Sequence, residues 1–373
     1  MQRIAFQHSL VIGKFYPPHL GHEYLMRTAS QHSASVTVLV LGASAERISI
    51  ANRVAWLQDA LQENPNIQVI GALGDVPVDY LDDAIWQAHV DIMKCTIEAA
   101  QQSTPGLVPV DAVFSSEPYG ERLAHYFAAR HVCLDQSRSL YPVSGTAVRA
   151  DVPGQWHMLS PAVQAGLALR VVVVGAESTG TTTLSQDLAK SLRQQGGVWS
   201  QTRWVAEYGR EYSAKLLALA KAANPRATAL NSDWRSSDFE HIARTQCALE
   251  EQAARHGCTV LVCDTDALAT CIWHERHMGQ HSDALAAIAK AMPPRALYVL
   301  TSEVDVPFED DGLRDGEHLR CWMNQRFRDV LTAQSVPWLE VTGSPEERCR
   351  AAMQALAERQ TNAHSFAAIS NTP

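Results

Sequence analysis

The sequence predicts an α/β protein of two consecutive domains, and three observations carry that prediction. Short β-branched apolar runs alternate with amphipathic stretches of helix length from end to end of the chain. The alternation restarts once, at a run of valines just after residue 170. The 373 residues also exceed the roughly 150 that one domain usually organises. No internal repeat accompanies the restart, so the two halves share a class but no motif.

In the first half, residues 9–13, 35–42, 67–73, 110–114 and 131–134 read as strands, being rich in Val, Ile and Leu and bounded by turn formers. Residues 23–30, 51–62, 84–100 and 121–130 carry the apolar spacing of helices. A strand–helix–strand series of this kind implies a parallel sheet with helices on both faces. The second series opens with a strand at 170–175, a glycine-rich loop and a helix to about residue 193. It continues through strands at 259–263, 296–300 and 338–341. Asp-Val-Pro-Gly and Ser-Pro punctuate residues 151–169, which places the boundary there. The expected organisation is a domain at 1–155, a linker at 156–168, a second domain at 169–359 and a flexible, small and polar tail at 360–373.

Composition narrows the function classes. Hydrophobic residues make up 46% and charged residues 19%, an ordinary globular balance. Lys plus Arg number 31 against 40 Asp plus Glu, and a net charge of −9 argues against a chain that binds nucleic acid over its whole surface. No apolar run approaches the about 18 residues of a membrane span, and the first residues lack the apolar core of a signal peptide, so a cytoplasmic location is expected. The eight cysteines form no C-x-x-C pair and sit among apolar neighbours, which reads as reduced core thiols.

The first strand runs into Lys14-Phe15-Tyr16-Pro17-Pro18-His19-Leu20-Gly21-His22 and then directly into a helix. Ligands of open α/β sheets gather at the carboxyl ends of strands, and a helix N-terminus there offers free N–H groups to an anion. His19 and His22 flank Gly21, so two imidazoles can donate to phosphate oxygens while the glycine lets the backbone come close. A proline-rich loop with a helix cap is the bland reading, and the position after strand one counts against it. Far downstream, Tyr141-Pro142-Val143-Ser144-Gly145-Thr146-Ala147-Val148-Arg149 provides an N-cap serine, a second hydroxyl and a guanidinium.

With Phe114-Ser115-Ser116-Glu117-Pro118-Tyr119-Gly120, these segments resemble the H-x-G-H nucleotidyltransferases, and among them the nicotinamide mononucleotide (NMN) adenylyltransferases. The resemblance implies a Rossmann-like N-terminal domain that joins NMN to ATP, giving NAD and pyrophosphate with Mg²⁺ present. No protein nucleophile is needed, so positioning and cations carry the chemistry. It further implies catalytic roles for Lys14, His19, His22 and Arg149, with Gly13, Gly21, Ser144 and Thr146 on phosphates. Trp86 resembles an aromatic position placed near the nicotinamide, although a core tryptophan on an amphipathic helix is the better reading of the sequence by itself.

The second series begins with a strand followed by Gly175-Ala176-Glu177-Ser178-Thr179-Gly180-Thr181-Thr182-Thr183 and a helix. The spacing is that of a phosphate loop, with Thr181 where the lysine belongs and Thr182 suited to Mg²⁺. Behind it come Glu207-Tyr208-Gly209-Arg210, Asp264-Thr265-Asp266 and Asp310-Asp311-Gly312-Leu313-Arg314. Singly each reads as a strand-end turn or a surface loop. Together, and behind an adenylyltransferase-like half, they resemble the ribosylnicotinamide kinase half of the bifunctional NadR family. That resemblance runs from about residue 10 to about residue 357. It implies a P-loop kinase domain that turns nicotinamide riboside and ATP into NMN, with Asp264 as the Mg²⁺ carboxylate and a catalytic Glu207. Arg210 and Asp266 would lie beside the substrate, and Arg314 would ride on a lid, with Arg210 and Arg314 standing in for the absent lysine.

Two alternatives stay open at this level, and a third is disfavoured. The second domain could be catalytically weak and only sense nucleotide, which Thr181 favours. The first site could transfer cytidylyl or pantetheine-linked adenylyl groups. A repressor reading is expected to fail, because only eight residues precede strand one, leaving no room for a DNA-binding helix-turn-helix, and no basic face compensates. The expected partners are small molecules, not nucleic acid or membrane. The oligomeric state is open, and a homo-oligomer is allowed.

Overall fold

The computed structural model describes residues 4–76, 82–103, 108–227, 233–309, 311, 314, 316–363 and 366. The chain divides into two compact units, Met1–Gly166 with His364–Pro373, and Leu167–Ala363. The first contains β1 (Phe6–Gly13), α1 (Leu20–His32), β2 (Ser33–Gly42), α2 (Ile50–Ala60), β3 (Ile67–Leu73), α3 (Asp83–Ser103), β4 (Ala112–Ser115), α4 (Tyr119–Tyr126), β5 (Arg130–Cys133), α5 (Gly145–Ala150) and α6 (Pro161–Leu167). Its five strands pair in parallel in the order β3-β2-β1-β4-β5. The central β1 is apolar on consecutive positions because both of its faces are covered. Val11 packs with Leu25, Met26 and Val38 on one face, while Leu10 and Ile12 pack with Trp86, Val90 and Met93 on the other. Strand order reverses at β1, which opens a crevice at its carboxyl end, beside Gly13.

The stretch expected to be a linker, 156–168, is folded. Trp156–Met158 forms a turn of 3₁₀ helix, α6 follows, and Trp156, Leu159, Ala162 and Val163 are buried. A Cβ on Gly166 would meet the Trp56 ring, so the end of α6 lies against α2. Apolar side chains with somewhere to pack override the Pro and Gly punctuation that suggested a connector.

The second unit contains β6 (Leu169–Val174), α7 (Thr181–Gln194), β7 (Arg203–Val205), α8 (Tyr208–Ala223), α9 (Ser236–Arg255), β8 (Val260–Asp264), α10 (Ala267–Met278), α11 (Asp283–Ala291), β9 (Arg295–Thr301), α12 (Arg320–Ala333), β10 (Trp338–Val341) and α13 (Pro345–Ala363). The sheet is again parallel, ordered β10-β9-β6-β8-β7, with the valine run of β6 at its centre. Val171 and Val173 meet Leu184, Leu188, Val262 and Leu356 in the core. The edge strand β7 is three residues long, too short for alternation to show in sequence. α13 runs four residues past the expected domain end at 359; of the rest of the expected tail, only Phe366 is among the described residues.

All eight cysteines are free thiols, but Cys95, Cys133 and Cys321 are exposed, a correction to their reading as core residues. Among the described residues, no helix is long and apolar enough to cross a membrane.

Candidate functional sites

In the first unit, β1 delivers Gly13 to the crevice and the chain turns through Phe15 in the left-handed region, φ 45°, into α1. His19 caps α1: its Nδ1 accepts from the His22 amide at 3.3 Å. One helical turn apart, the two imidazoles stack with centroids 3.5 Å apart. His19 Nε2 and His22 Nδ1 are enclosed without a hydrogen-bond partner. Burial, followed by the nearby Arg138, lowers the His19 pKa to about 4. Burial, then His19 and Arg138, holds His22 well below the usual histidine range. Both rings are therefore neutral near pH 7, each with a nitrogen left for a ligand. A Cβ on Gly21 would sit 3.2 Å from His19 Nδ1, so the glycine leaves the ring its place.

The second segment folds onto the first. Ser144 is the N-cap of α5, its Oγ accepting from the Ala147 amide at 3.0 Å. Arg149 donates from Nη1 to the Tyr16 carbonyl at 2.6 Å and from Nη2 to Thr146 Oγ1 at 3.1 Å. The structure thus joins two motifs 133 residues apart through one guanidinium. Lys14 stands close by, its ammonium 3.4 Å from Glu46. Trp86 does not stand free in the crevice. It is buried in the core, stacked on Tyr126 with the Arg122 guanidinium 4.5 Å from its ring.

Three neighbours of this site were invisible in sequence. Arg138 faces the histidines and pairs with Glu117. Arg53, fully buried, donates to the Lys14 carbonyl at 2.7 Å and lies 2.8 Å from Glu46. Glu46 therefore links a structural arginine to the site lysine. Replacing Arg53 with Met leaves the Glu46 carboxylate largely enclosed without its buried partner, and should cost about 3 kcal/mol in urea unfolding. A loss below about 1 kcal/mol would mean that the pair does not brace the loop.

In the second unit, the glycine loop lies between β6 and α7. Gly180 caps α7 in the left-handed region, φ 87°, and Ser178 also has a positive φ of 58°. A Cβ on Gly175 would lie 2.3 Å from Thr301 Oγ1 and 2.6 Å from Thr179 Oγ1, so the strand end admits no side chain. Thr182 donates to Asp264 Oδ2 at 2.6 Å. Asp264 is nearly fully buried at the end of β8, and burial raises its pKa above the usual carboxylate range. Glu207 faces the same space. Its carboxyl is pushed up by burial, then by Asp264.

These residues line a cavity of about 1010 Å³ together with Glu177, Ser178, Thr179, Gly180, Thr181, Thr183, Arg210 and Arg314. Trp234, Phe239, Trp273 and His277 line the same cavity, none of which the motifs indicated. Trp234 lies 5.0 Å from Phe239 and 5.2 Å from His277, centroid to centroid, and the Trp273 ring stacks on His277. The one available signal was the i, i+4 spacing of Trp273 and His277 on α10.

Two expectations are corrected here. Thr265, at φ 73°, turns the chain between the two aspartates. Asp266 accordingly leaves the cavity lining and caps α10, accepting from Tyr298 at 2.7 Å and from Arg295 at 3.1 Å. Arg210 and Arg314 do line the cavity, but both are paired: Arg210 with Asp311, and Arg314 with Glu309 and Asp311 at 3.7 Å each. Neither is therefore an uncompensated charge in place of a lysine. Of that last motif, Asp310, Gly312 and Leu313 lie outside the described residues.

Residues 170–348 match the family model for an AAA domain. The trifunctional NAD biosynthesis/regulator protein NadR of Salmonella typhimurium is 23% identical over 319 residues, 82% of this chain and 71% of that protein. Its Escherichia coli counterpart is 24% identical over the same shares. The fold is that of the NadR protein solved in complex with NR, with a TM-score of 0.65, 17% identity, and 96% of this chain and 98% of that chain covered. The NadR protein solved with NAD and AMP-PNP gives a TM-score of 0.63 at 16% identity over the same shares.

Proposed function

We propose that this NadR-like chain is an enzyme of NAD synthesis with two chained activities, phosphorylation of nicotinamide riboside to NMN in the second unit and adenylylation of NMN to NAD in the first. The observation that carries this reading is the single cavity of the second unit, which a glycine loop at a helix N-terminus and a cluster of aromatic rings line together. The glycine loop suits a triphosphate. The rings suit a flat pyridinium, since aromatic faces attract a cation that stacks on them. NR and AMP-PNP in the solved NadR proteins support the same pairing of ligands.

In the second unit, the riboside hydroxyl attacks the γ-phosphorus of ATP and ADP leaves. Glu207 faces the cavity, and its carboxyl, pushed up to about 8 by burial and then by Asp264, is basic enough when ionised to take the hydroxyl proton. The oxygens of Thr182 and Asp264, 2.6 Å apart, are hard donors of the kind Mg²⁺ prefers. Bound there, the ion would neutralise phosphate charge. In the first unit, the NMN phosphate attacks the α-phosphorus of ATP and pyrophosphate leaves. The neutral imidazoles of His19 and His22 donate to phosphoryl oxygens, while Arg149 and Lys14 offset their charge.

The test is an assay of the full chain with ATP, Mg²⁺ and either nicotinamide riboside or NMN, following NMN and NAD separately. Both products are expected. NAD from NMN without NMN from the riboside would favour a nucleotide-sensing second unit, the reading Thr181 supports. Absence of both products would sink the proposal.

A further inference from the structure

Thr181 leaves the phosphate loop without its lysine, and both arginines expected to replace it are paired with carboxylates. A third arginine lines the cavity. Arg348, on the first turn of α13, is 6% exposed. It donates to the carbonyls of Gly343 at 2.9 Å, Thr179 at 2.8 Å and Ser302 at 3.3 Å. Thr179 belongs to the loop itself, and Arg348 Nη1 lies 4.0 Å from where a Cβ on Gly180 would be.

A guanidinium has five N–H groups, and these bonds use three. Among the described residues, Arg348 has no carboxylate within ion-pair reach, unlike the other two arginines of the cavity. Its pKa is lowered by burial alone, as expected of a cation without a counter-ion. The two loop residues before Thr179 are braced as well. Arg320 donates to the Ser178 carbonyl at 3.2 Å, and Arg276 lies 3.0 Å from Glu177. Consecutive loop residues 177, 178 and 179 are thus held by arginines from α10, α12 and α13.

We propose that Arg348 supplies, from outside the loop, the positive charge to the nucleotide phosphates that Thr181 cannot, while its other N–H groups hold the loop in shape. The inference rests on the reading that this cavity takes ATP. A guanidinium suits the task because it stays charged when buried and can hold carbonyls and a phosphate at once. A buried cation without a carboxylate is costly, and an anionic ligand offsets that cost.

The experiment is calorimetric binding of ATP, adenosine and nicotinamide riboside to the full chain and to Arg348→Met, Arg348→Lys, Thr181→Lys and the double variant Thr181→Lys/Arg348→Met. Arg348→Met should weaken ATP at least about 10-fold while adenosine and riboside change little, because only the phosphates lose a partner. Arg348→Lys should fall between, and adding Thr181→Lys to Arg348→Met should restore most of the ATP affinity. A purely structural arginine would weaken all three ligands alike and escape rescue by lysine, overturning the proposal. Equal ATP binding by wild type and Arg348→Met would overturn it too, while leaving the kinase reading intact. A wild type that binds no ATP would overturn both. Should Arg348→Met fail to fold, the Lys variant and the gain from Thr181→Lys alone carry the test: a gain of more than about 100-fold would mean that the wild-type cavity lacks the charge assigned to Arg348.

Discussion

Asp264→Asn should lower formation of NMN from the riboside by roughly 10³-fold while NAD formation from NMN by the same preparation proceeds unchanged. The asparagine keeps the shape of the side chain and an oxygen for the Thr182 hydroxyl, so the end of β8 should survive. What disappears is a negative charge that burial has already made costly to hold. On the proposed function, a carboxylate at the carboxyl end of a strand, touching the hydroxyl that follows the glycine loop, would meet a cation that arrives with the nucleotide. Steady-state kinetics should show the loss in kcat rather than in the KM for riboside. An Asn variant retaining more than a tenth of the wild-type rate would remove Asp264 from the proposed machinery.

His22→Ala should cut NAD formation from NMN by about 10²-fold or more, and His19→Ala by a similar factor, with riboside phosphorylation untouched. Because burial keeps both imidazoles neutral, the wild-type rate should be flat between pH 6.5 and 8 as far as these two residues are concerned. A rate that falls as pH rises through 6.5, and no longer does so in His22→Asn, would identify the charged form as the active one and overturn the neutral-donor reading.

The same pair sets a stability signature. Below pH 6.5 the unfolded chain binds protons on these rings that the folded unit refuses, until about pH 4 at His19 and until well below the usual histidine range at His22. Their contribution is therefore fully present above pH 6.5 and is lost as pH falls through that window, at up to roughly 2.7 kcal/mol per pH unit for two rings. His22→Asn should halve that part of the slope in urea unfolding followed against pH. An unchanged slope would mean that His22 is protonated in the folded state.

Much of this could be read from the residue string, for identifiable reasons. The glycine loop, the H-x-G-H turn and the Ser144 cap are local: spacing along the chain fixes which atoms face one another, and the structure places the cap where the hydroxyl predicts it. The valine run of β6 marks a strand buried on both faces, which no helix-period pattern imitates. The misreadings concern direction and partnership. Asp264 and Asp266, two residues apart, read as members of one site, and a single left-handed residue, Thr265, sends them to different surroundings. Residues 156–168 read as a connector because their turn formers are visible and the Trp56 ring they meet lies a hundred positions away.

By itself, then, the sequence determined the α/β class, the restart near residue 170, and the two strand-to-helix loops that the proposed function assigns to phosphates, all consequences of period and short-range spacing. Only the tertiary structure decided which charges those loops face. Arg53 behind Lys14, Arg149 on the Tyr16 carbonyl, the rings that line the glycine-loop cavity, and Arg348 beside Thr179 come from elements remote in the chain. The physical reason is that a charge or a ring acts through distance in space and through burial, and neither has a period in the sequence.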